Sequence, residues 1–404
     1  MELRLYQSKI ASQIVDRLTR FKLAYLAAEV RCGKTLMALE ACKLYQVNKV
    51  LFLTKKKAIG SIELDYKAMG YTFSLTVVNY ESMHKLDDND FDIVVCDESH
   101  TFSAFPKPSK RVKMLKQRFS LLPIIFLTGT PAIESGSQWY HQFFISEFSP
   151  FAEWTNFYKW SRDFVNVIER NFGYAKVKDY SDANRDKIQK YIEPYLITFT
   201  QKESGFTTII NENVLYCDIK TKAIAKRLIK DRVIEGKNDL IIADTPVKLQ
   251  SKVHQILNGT CILESGKVHI FDNSKALFIK EHFKGKKLAI FYYFKGELEI
   301  LKSVFDITIN LNEFNNTDKH IALQQTSSEG MNLSKADIIV YYNFGFSGKD
   351  YVQSRDRLTT MERKTNDIYF IFGKGDMNEK IYERVKNKMN YNIKQFKKDY
   401  GVSS

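Results

Sequence analysis

The residues with the clearest chemical meaning are Gly33, Lys34 and Thr35, which lie between an apolar strand and an alanine- and leucine-rich helix within residues 23–41. In that setting, backbone N–H groups and the N-terminus of the helix face the oxygen atoms of a phosphate. Lys34 is placed to reach the β- and γ-phosphates, and the Thr35 hydroxyl to ligate Mg²⁺. The tripeptide alone is weak evidence, but a strand before it and a helix after it are the context that a phosphate-binding loop requires.

Two acidic residues, Asp97 and Glu98, directly follow a second apolar strand at residues 93–96. A carboxylate at the carboxyl end of a parallel strand points into the crevice where ligands bind. Asp97 is suited to hold Mg²⁺ through its water shell, and Glu98 to orient and deprotonate the water that attacks a γ-phosphate. The segment 127–131, LTGTP, also lies at a strand end. Its small hydroxyl residues can link the γ-phosphate site to movement elsewhere.

Positive charge for the same chemistry is available near the other end of the chain. Residues 351–357 read YVQSRDR and include Arg355 and Arg357. A γ-phosphate held in a cleft needs a cation that arrives when two halves close, and such an arginine finger is worth about 10³–10⁵ in rate. The alternative is a surface helix with paired charges.

The strand pattern predicts two parallel sheets. Short apolar strands separated by polar or helical sequence occur first at residues 50–54, 75–78, 93–97 and 124–128, and again at residues 288–293, 307–309, 321–323, 338–342 and 368–372. Nearly continuous apolar strands that alternate with helices are typical of a parallel sheet covered on both faces. The sequence therefore predicts an α/β protein with two sheets.

Three further segments have helical patterns. Apolar residues recur at helical spacing within residues 1–20, and residues 379–400 form a lysine-rich segment for which a solvated helix is expected. Residues 135–200 carry many aromatic side chains at largely helical spacing. We interpret them as a helical segment with an aromatic core of its own, with base stacking as the alternative.

Composition limits the class of protein. The 404 residues carry a net charge of +14, which favours a polyanionic partner, nucleic acid first. The N-terminus lacks the apolar region of a secretory signal, and we expect no membrane span. The cysteines are scattered without a CxxC pair, which predicts free thiols in a reducing, cytoplasmic compartment: Cys32, Cys42, Cys96, Cys217 and Cys261.

Taken in order, these motifs resemble a known family. Residues 3–7 (LRLYQ), 28–35 (AEVRCGKT), 97–100 (DESH), 127–131 (LTGTP) and the QxRxR run at 353–357 are similar to the motifs of superfamily 2 helicases and translocases. The resemblance is specifically to the Snf2-like branch and its small phage-type members. Residues 51–55 and 78–81 resemble its motifs Ia and Ib, and residues 147–158 its helical segment. Residues 191–200 resemble the segment just before its second lobe, and 326–333 its motif V.

The resemblance implies two RecA-like parallel-sheet lobes with an inserted helical segment. The expected boundaries are 1–134 for lobe 1, 135–255 for the helical insertion and linker, and 256–404 for lobe 2 with a basic C-terminal helix. It also implies an ATP site formed with Gln7, which reads adenine, and with Arg31, Cys32, Gly33, Lys34, Thr35 and Gln353. The residues expected to face nucleic acid are Lys55, Tyr80, Thr326 and Ser327.

We therefore expect an ATP- and Mg²⁺-dependent motor, monomeric, that hydrolyses ATP between two lobes while it tracks a DNA backbone. Lys34, Asp97 and Glu98 would carry the chemistry, and the finger would be Arg355, Arg357 or Arg363. Duplex or branched DNA is favoured as the partner over single-stranded DNA, and RNA is disfavoured. The alternatives are a strand-separating helicase on single-stranded DNA or RNA, and a non-motor module that ATP switches between two conformations.

Overall fold

The computed structural model describes residues 2–86, 90–132, 134–171, 176–236, 239–327, 331–360, 362–387 and 391–401. The chain divides into two compact units, Met1–Phe206 and Thr207–Ser404. Each unit is built around a six-stranded, wholly parallel sheet. The α/β fold with two parallel-sheet cores that the sequence predicts is confirmed.

The first unit contains seven α-helices among its described residues: α1 (Leu5–Phe21), α2 (Lys34–Leu44), α3 (Ile59–Met69), α4 (Lys110–Phe119), α5 (Gln138–Phe143), α6 (Phe157–Phe164) and α7 (Arg185–Ile192). Its strands are β1 (Leu23–Ala28), β2 (Lys49–Thr54), β3 (Ser74–Asn79), β4 (Ile93–Cys96), β5 (Ile124–Thr128), β6 (Ile168–Asn171), β7 (Lys176–Asp179) and β8 (Leu196–Phe199). The sheet order is β3-β2-β4-β5-β1-β8, and β6 and β7 form a separate antiparallel pair.

In the second unit, the helices of the described part are α8 (Lys222–Asp231), α9 (Pro246–Leu257), α10 (Ser274–His282), α11 (Lys295–Val304), α12 (Leu311–Asn316), α13 (Gly348–Arg355), α14 (Met377–Lys386) and α15 (Ile393–Tyr400). The strands are β9 (Ile209–Cys217), β10 (Val233–Glu235), β11 (Leu240–Ile242), β12 (Thr260–Ile262), β13 (Val268–Ile270), β14 (Leu288–Tyr292), β15 (Ile307–Thr308), β16 (His320–Gln324), β17 (Ile338–Tyr341) and β18 (Thr365–Gly373). The sheet order is β15-β16-β14-β17-β18-β9, while β10 pairs with β11 and β12 with β13.

Both faces of each sheet are buried, because successive side chains along a strand point to opposite faces. In β1, Leu23 and Tyr25 join a core that includes α4, α5 and α6, whereas Ala24 and Leu26 join a core that includes α1 and α2. This double burial explains why these strands read as uninterrupted apolar runs in the sequence.

The division of the chain differs from the three-part boundaries expected at 134 and 255. Residues 135–206 belong to the first unit, where β8 pairs in parallel with β1. Residues 207–255 belong to the second unit, where β9 pairs with β18 along nine residues. The expected insertion is therefore shared between the two units, because its two strands complete the edges of two different sheets.

The aromatic segment shares its core with the first sheet, in contrast to the separate core expected from its spacing. Trp139 and Phe143 lie 5.1 and 5.4 Å from the Tyr25 ring on β1, centroid to centroid. Buried Phe151 and Trp160 belong to the same apolar cluster as the sheet residues. These four rings thus belong to the sheet core and are too buried to act as base-stacking platforms.

The C-terminal segment forms two amphipathic helices, α14 and α15. Their apolar residues Ile381, Val385 and Phe396 are buried in the core of the second unit. The expectation of a solvated helix is therefore wrong for the helix face that carries these residues. All five cysteines are buried free thiols, as predicted. Within the described residues, no helix has the length and apolar character needed to cross a membrane.

A buried polar network lies where the β14 and β17 strands end. The Glu297 carboxylate accepts hydrogen bonds from the backbone N–H groups of Tyr293 at 2.8 Å and Phe294 at 3.0 Å, and from the Asn343 amide at 2.5 Å. Burial raises the pKa of Glu297 to about 7, although these hydrogen bonds and the nearby Lys275 favour the charged form. The pKa of this carboxyl group therefore lies well above its ordinary value.

Glu297→Gln should flatten the dependence of stability on pH. From the ordinary pKa of 4.5 up to about 7, the unfolded chain has released the Glu297 proton and the folded chain has kept it, so stability falls as pH rises through this window. Relative to Glu297→Gln, we expect the wild type to lose about 3 kcal/mol of unfolding free energy between about pH 4.5 and pH 8.

The measurement is urea unfolding at a series of pH values. The readout is the slope of unfolding free energy against pH. The absolute free energy is not compared, because the Glu297→Gln substitution also removes the oxygen that accepts from Asn343. Glu299→Gln, on the solvent-exposed side of α11, is the matched control and should leave the slope unchanged. Parallel curves for the wild type and Glu297→Gln would contradict the raised pKa.

Candidate nucleotide site

The predicted phosphate-binding loop connects β1, which ends at Ala28, to α2, which begins at Lys34. Arg31 and Gly33 have φ values of 65° and 80°, so the chain turns sharply through two left-handed residues. A Cβ atom at Gly33 would lie 2.2 Å from Nε2 of Gln7. The Gln7 side chain therefore lies directly on the loop, and only glycine leaves space for it.

Gln7 is held in that position by its own helix. It is the third residue of α1, and its Oε1 accepts a 2.9 Å hydrogen bond from the backbone N–H of Arg4, as in a capping box. The side chain is 4% exposed. This arrangement brings the sequence-predicted Gln7 into contact with the sequence-predicted loop.

Lys34 points back along the loop. Its ammonium group donates to the main-chain carbonyls of Ala28 at 2.9 Å and Glu29 at 3.1 Å. Gly129 of the LTGTP segment is next to it, because a Cβ atom there would lie 3.8 Å from the lysine Nζ and 3.5 Å from the Ala28 oxygen. The loop after β5 and the loop after β1 therefore meet around the lysine. Thr35 lies in the first turn of α2, half-buried.

Asp97 follows β4 and is held by the neighbouring strand. The Thr54 hydroxyl, at the end of β2, donates a 2.8 Å hydrogen bond to Oδ2 of Asp97. Burial and the adjacent charge of Glu98 raise the pKa of Asp97, while Thr54 and Lys34 favour its charged form. Thr54 was not among the predicted site residues, although a hydroxyl residue at the end of an apolar strand was visible in the sequence.

Glu98 adopts a left-handed conformation with φ 50°, which is uncommon for a residue with a side chain and which orients its carboxylate beside His100. Glu98 Oε2 lies 3.2 Å from His100 Nδ1. Burial opposes ionisation of Glu98, but the adjacent His100 and the charges of Lys34 and Lys55 outweigh it and lower the carboxyl pKa. Glu98 is therefore a carboxylate at neutral pH.

The DESH and LTGTP segments are joined by hydrogen bonds. His100 Nδ1 lies 2.9 Å from the Thr128 hydroxyl oxygen, and that oxygen accepts a hydrogen bond from the backbone N–H of Thr130 at 3.1 Å. The side chains of His100 and Thr128 therefore connect the DESH segment to the turn after β5.

A second connection was not predicted. Ser99 donates to the Tyr25 hydroxyl at 3.0 Å, and that hydroxyl donates to the Gln142 amide oxygen at 2.5 Å. The amide nitrogen of Gln142 in turn donates to the carbonyl of Pro131 at 2.7 Å. Nothing in the sequence indicated this link, since Gln142 lies within an aromatic helix far along the chain.

The residues expected to face nucleic acid have different surroundings. Lys55 follows β2, half-buried and close enough to Glu98 for its charge to favour the carboxylate. Tyr80 is 5% exposed, and its hydroxyl donates to the Asp97 main-chain carbonyl, so this side chain braces the DESH loop inside the unit. Thr326 is exposed in the 3₁₀ turn Gln325–Ser327 that follows β16. Ser327 belongs to the same turn, and residues 328–330 lie outside the described residues.

The candidate fingers belong to the second unit. Gln353 and Arg355 lie on α13, and Arg355 Nη1 is 3.3 Å from the Glu212 carboxylate on β9. Arg357, in the 3₁₀ turn that follows, is 6% exposed. The third candidate, Arg363, donates from Nε and both Nη atoms to main-chain carbonyls, namely those of Ser334, Ala336, Asp337 and Thr365. Its guanidinium group therefore has a structural role, because it holds the main chain at residues 334–337 and at Thr365 in place.

The first unit thus brings Gln7, Gly33, Lys34, Asp97 and Glu98 together at the carboxyl edge of its sheet. The Thr35 hydroxyl and the Asp97 carboxylate are oxygen donors of the kind that Mg²⁺ prefers. A divalent cation would also offset the repulsion between the half-buried carboxylates of Asp97 and Glu98. These residues fit a magnesium–nucleotide complex.

Solved structures resemble the chain over almost its full length. The Pyrococcus furiosus Hef helicase domain is similar with a TM-score of 0.51 at 12% sequence identity, covering 95% of this chain and 98% of that one. The Sulfolobus solfataricus SWI2/SNF2 ATPase core in complex with dsDNA is similar with a TM-score of 0.44 at 17% identity, covering 96% and 91%. No protein-family profile and no curated protein sequence matches the chain. The chain therefore shares the fold of the helicase domain that it resembles, in agreement with the fold expected from its sequence motifs.

Proposed function

We propose that the protein is an ATP-dependent DNA translocase or helicase that hydrolyses ATP at the edge of the first sheet while it tracks a nucleic-acid backbone. The observation that carries the proposal is the convergence of Lys34, Asp97, Glu98 and Gly129 around one loop. A parallel-sheet edge with a lysine, two carboxylates and a helix N-terminus is suited to phosphoryl transfer to water.

The chemistry assigns a task to each side chain. The Lys34 ammonium exchanges its two carbonyl acceptors for phosphate oxygens. Thr35 and Asp97 would hold Mg²⁺, which neutralises charge that develops on the phosphates. Glu98, kept ionised by its cationic neighbours, accepts the proton of the attacking water. Arg355 or Arg357 of the second unit supplies the positive charge that stabilises the transition state, as the family resemblance implies.

The partner proposed is DNA, duplex or branched, held mainly through its phosphates. The net charge of +14 supplies the attraction, and tracking along a backbone depends on charge more than on base readout. Lys55, beside the DESH loop, and Thr326 and Ser327, in the turn after β16, are the proposed contacts. Lys55 is the most informative of them, because the same charge acts on Glu98 and would link nucleic acid to the hydrolytic centre.

The first test is steady-state ATP hydrolysis by the purified protein, alone and with duplex DNA, single-stranded DNA or RNA. We expect duplex or branched DNA to stimulate turnover most, and Lys34→Ala and Glu98→Gln to abolish it. Stronger stimulation by single strands or RNA would change the assignment to a strand-separating helicase. ATP binding without turnover in the wild type would indicate an ATP-switched binding module.

Tyr80→Phe removes the hydroxyl that braces the Asp97 carbonyl. Because a buried carbonyl then loses its partner, we expect a loss of about 1–3 kcal/mol in unfolding free energy, together with lower ATP turnover. Tyr66→Phe is the matched control, since the Tyr66 hydroxyl also donates to a main-chain carbonyl, that of Phe73, outside the motifs. It should lower stability and leave the turnover of folded protein intact. Equal losses of turnover in both variants would contradict the bracing role.

Substitutions of the three arginines should differ in their effects on stability and on ATP turnover. Arg363→Lys removes donors to several carbonyls, and we expect it to lower stability by about 1–3 kcal/mol with turnover retained. Arg355→Lys or Arg357→Lys should reduce turnover on the order of 10³-fold while nucleotide binding persists, and the larger loss identifies the finger. Loss of turnover in stable Arg363→Lys, with both other variants active, would transfer the role to Arg363.

A further inference from the structure

Residues 200–206, which follow β8 and end the first unit, form a compact turn. The backbone N–H and the hydroxyl of Thr200 both donate to the Glu203 carboxylate at 2.7 Å, and the backbone N–H of Glu203 returns a bond to the Thr200 hydroxyl at 3.2 Å. The N–H of Phe206 donates to the Gln201 carbonyl at 3.0 Å, and the Phe206 ring is buried. This segment is therefore folded, and it leads directly into the second unit at Thr207.

The turn is bonded to the phosphate loop. The backbone N–H of Gln201 donates to Oε2 of Glu29 at 2.7 Å, and its side-chain Nε2 donates to the Val30 carbonyl at 3.0 Å. The Ser204 hydroxyl oxygen lies 3.6 Å from the Cys32 sulfur. Three of the five residues between β1 and α2 thus contact this one turn, although about 170 positions separate the two segments in the sequence.

Glu29 forms hydrogen bonds both with this turn and with Lys34. Its backbone N–H donates to the Phe199 carbonyl at 2.9 Å, its carboxylate accepts from Gln201, and its carbonyl accepts from the Lys34 ammonium at 3.1 Å. Lys34 and Gln201 therefore both restrain Glu29, one through its carbonyl and the other through its carboxylate. If the lysine turns to a phosphate, Glu29 loses one of these restraints.

We propose that Gln201 is a positioning residue for the phosphate loop, and that nucleotide binding at Lys34 loosens the turn at residues 200–206. The inference rests on the proposed nucleotide site and extends it, because it gives a physical path from phosphate to the start of the second unit. The path is Lys34, Glu29 and Gln201, and it consists of the hydrogen bonds described above.

The variant that tests the positioning role is Gln201→Met, which keeps the length of the side chain and removes its donor to Val30. The loop then loses one hydrogen bond that shapes it, and we expect the KM for ATP to rise about fivefold with kcat unchanged. Gln201→Lys, which restores a donor, should recover part of the loss. Lys202→Met, at an exposed neighbour in the same turn, is the matched control and should leave KM unchanged.

The readout for the loosening is hydrogen–deuterium exchange of the amides in residues 200–206, with ADP as the probe and calorimetry as the measure of binding. We expect ADP to speed exchange of this segment in the wild type and to have no effect in Lys34→Ala. Binding of ADP with unchanged or slower exchange would overturn the inference and leave the proposed function intact. Equal KM values for Gln201→Met and Lys202→Met would overturn it as well. A wild type that binds no nucleotide would refute the proposed function and the inference together.

Discussion

The site depends on the parallel pairing of β1 with β5, and of β5 and β2 with β4. Parallel strands end at the same edge, so the loops that follow them must share one crevice. This constraint places Lys34, Gly129 and Asp97 beside each other, although they are far apart in the sequence. Since both faces of the sheet are buried, the register of each strand is fixed by its apolar residues. The positions at which the following loops begin are therefore fixed as well.

The same constraint explains what sequence reasoning achieved. Strands buried on both faces produce continuous apolar runs, and those at residues 50–54, 93–97 and 338–342 were located to within about a residue or two. The motifs that follow them were interpretable, because a strand before a glycine or a carboxylate fixes where that residue lies. Asp97, Lys34 and Gly33 were accessible to this reasoning, and so was the helix that carries Gln7.

Other features left no local pattern. β8 and β9 are edge strands next to polar turns, so the unit boundary at Phe206 could not be predicted from composition. Tyr80 resembles an exposed motif residue in the sequence, yet its hydroxyl braces the Asp97 carbonyl, a contact decided by tertiary packing. The side chains of Gln201 and Gln142 donate to main-chain carbonyls. Every residue has such a carbonyl, so these contacts leave no signal in the sequence.

The buried thiols have a practical consequence. Burial raises the pKa of all five cysteines, and reagents for thiols attack the thiolate. The native protein should therefore react slowly with maleimide dyes. A single cysteine introduced at an exposed position, such as Lys202 or Glu299, would be labelled selectively on the unaltered chain. Fluorescent reporters can thus be attached to either unit without first constructing a cysteine-free background, and Cys32 can stay in the loop between β1 and α2.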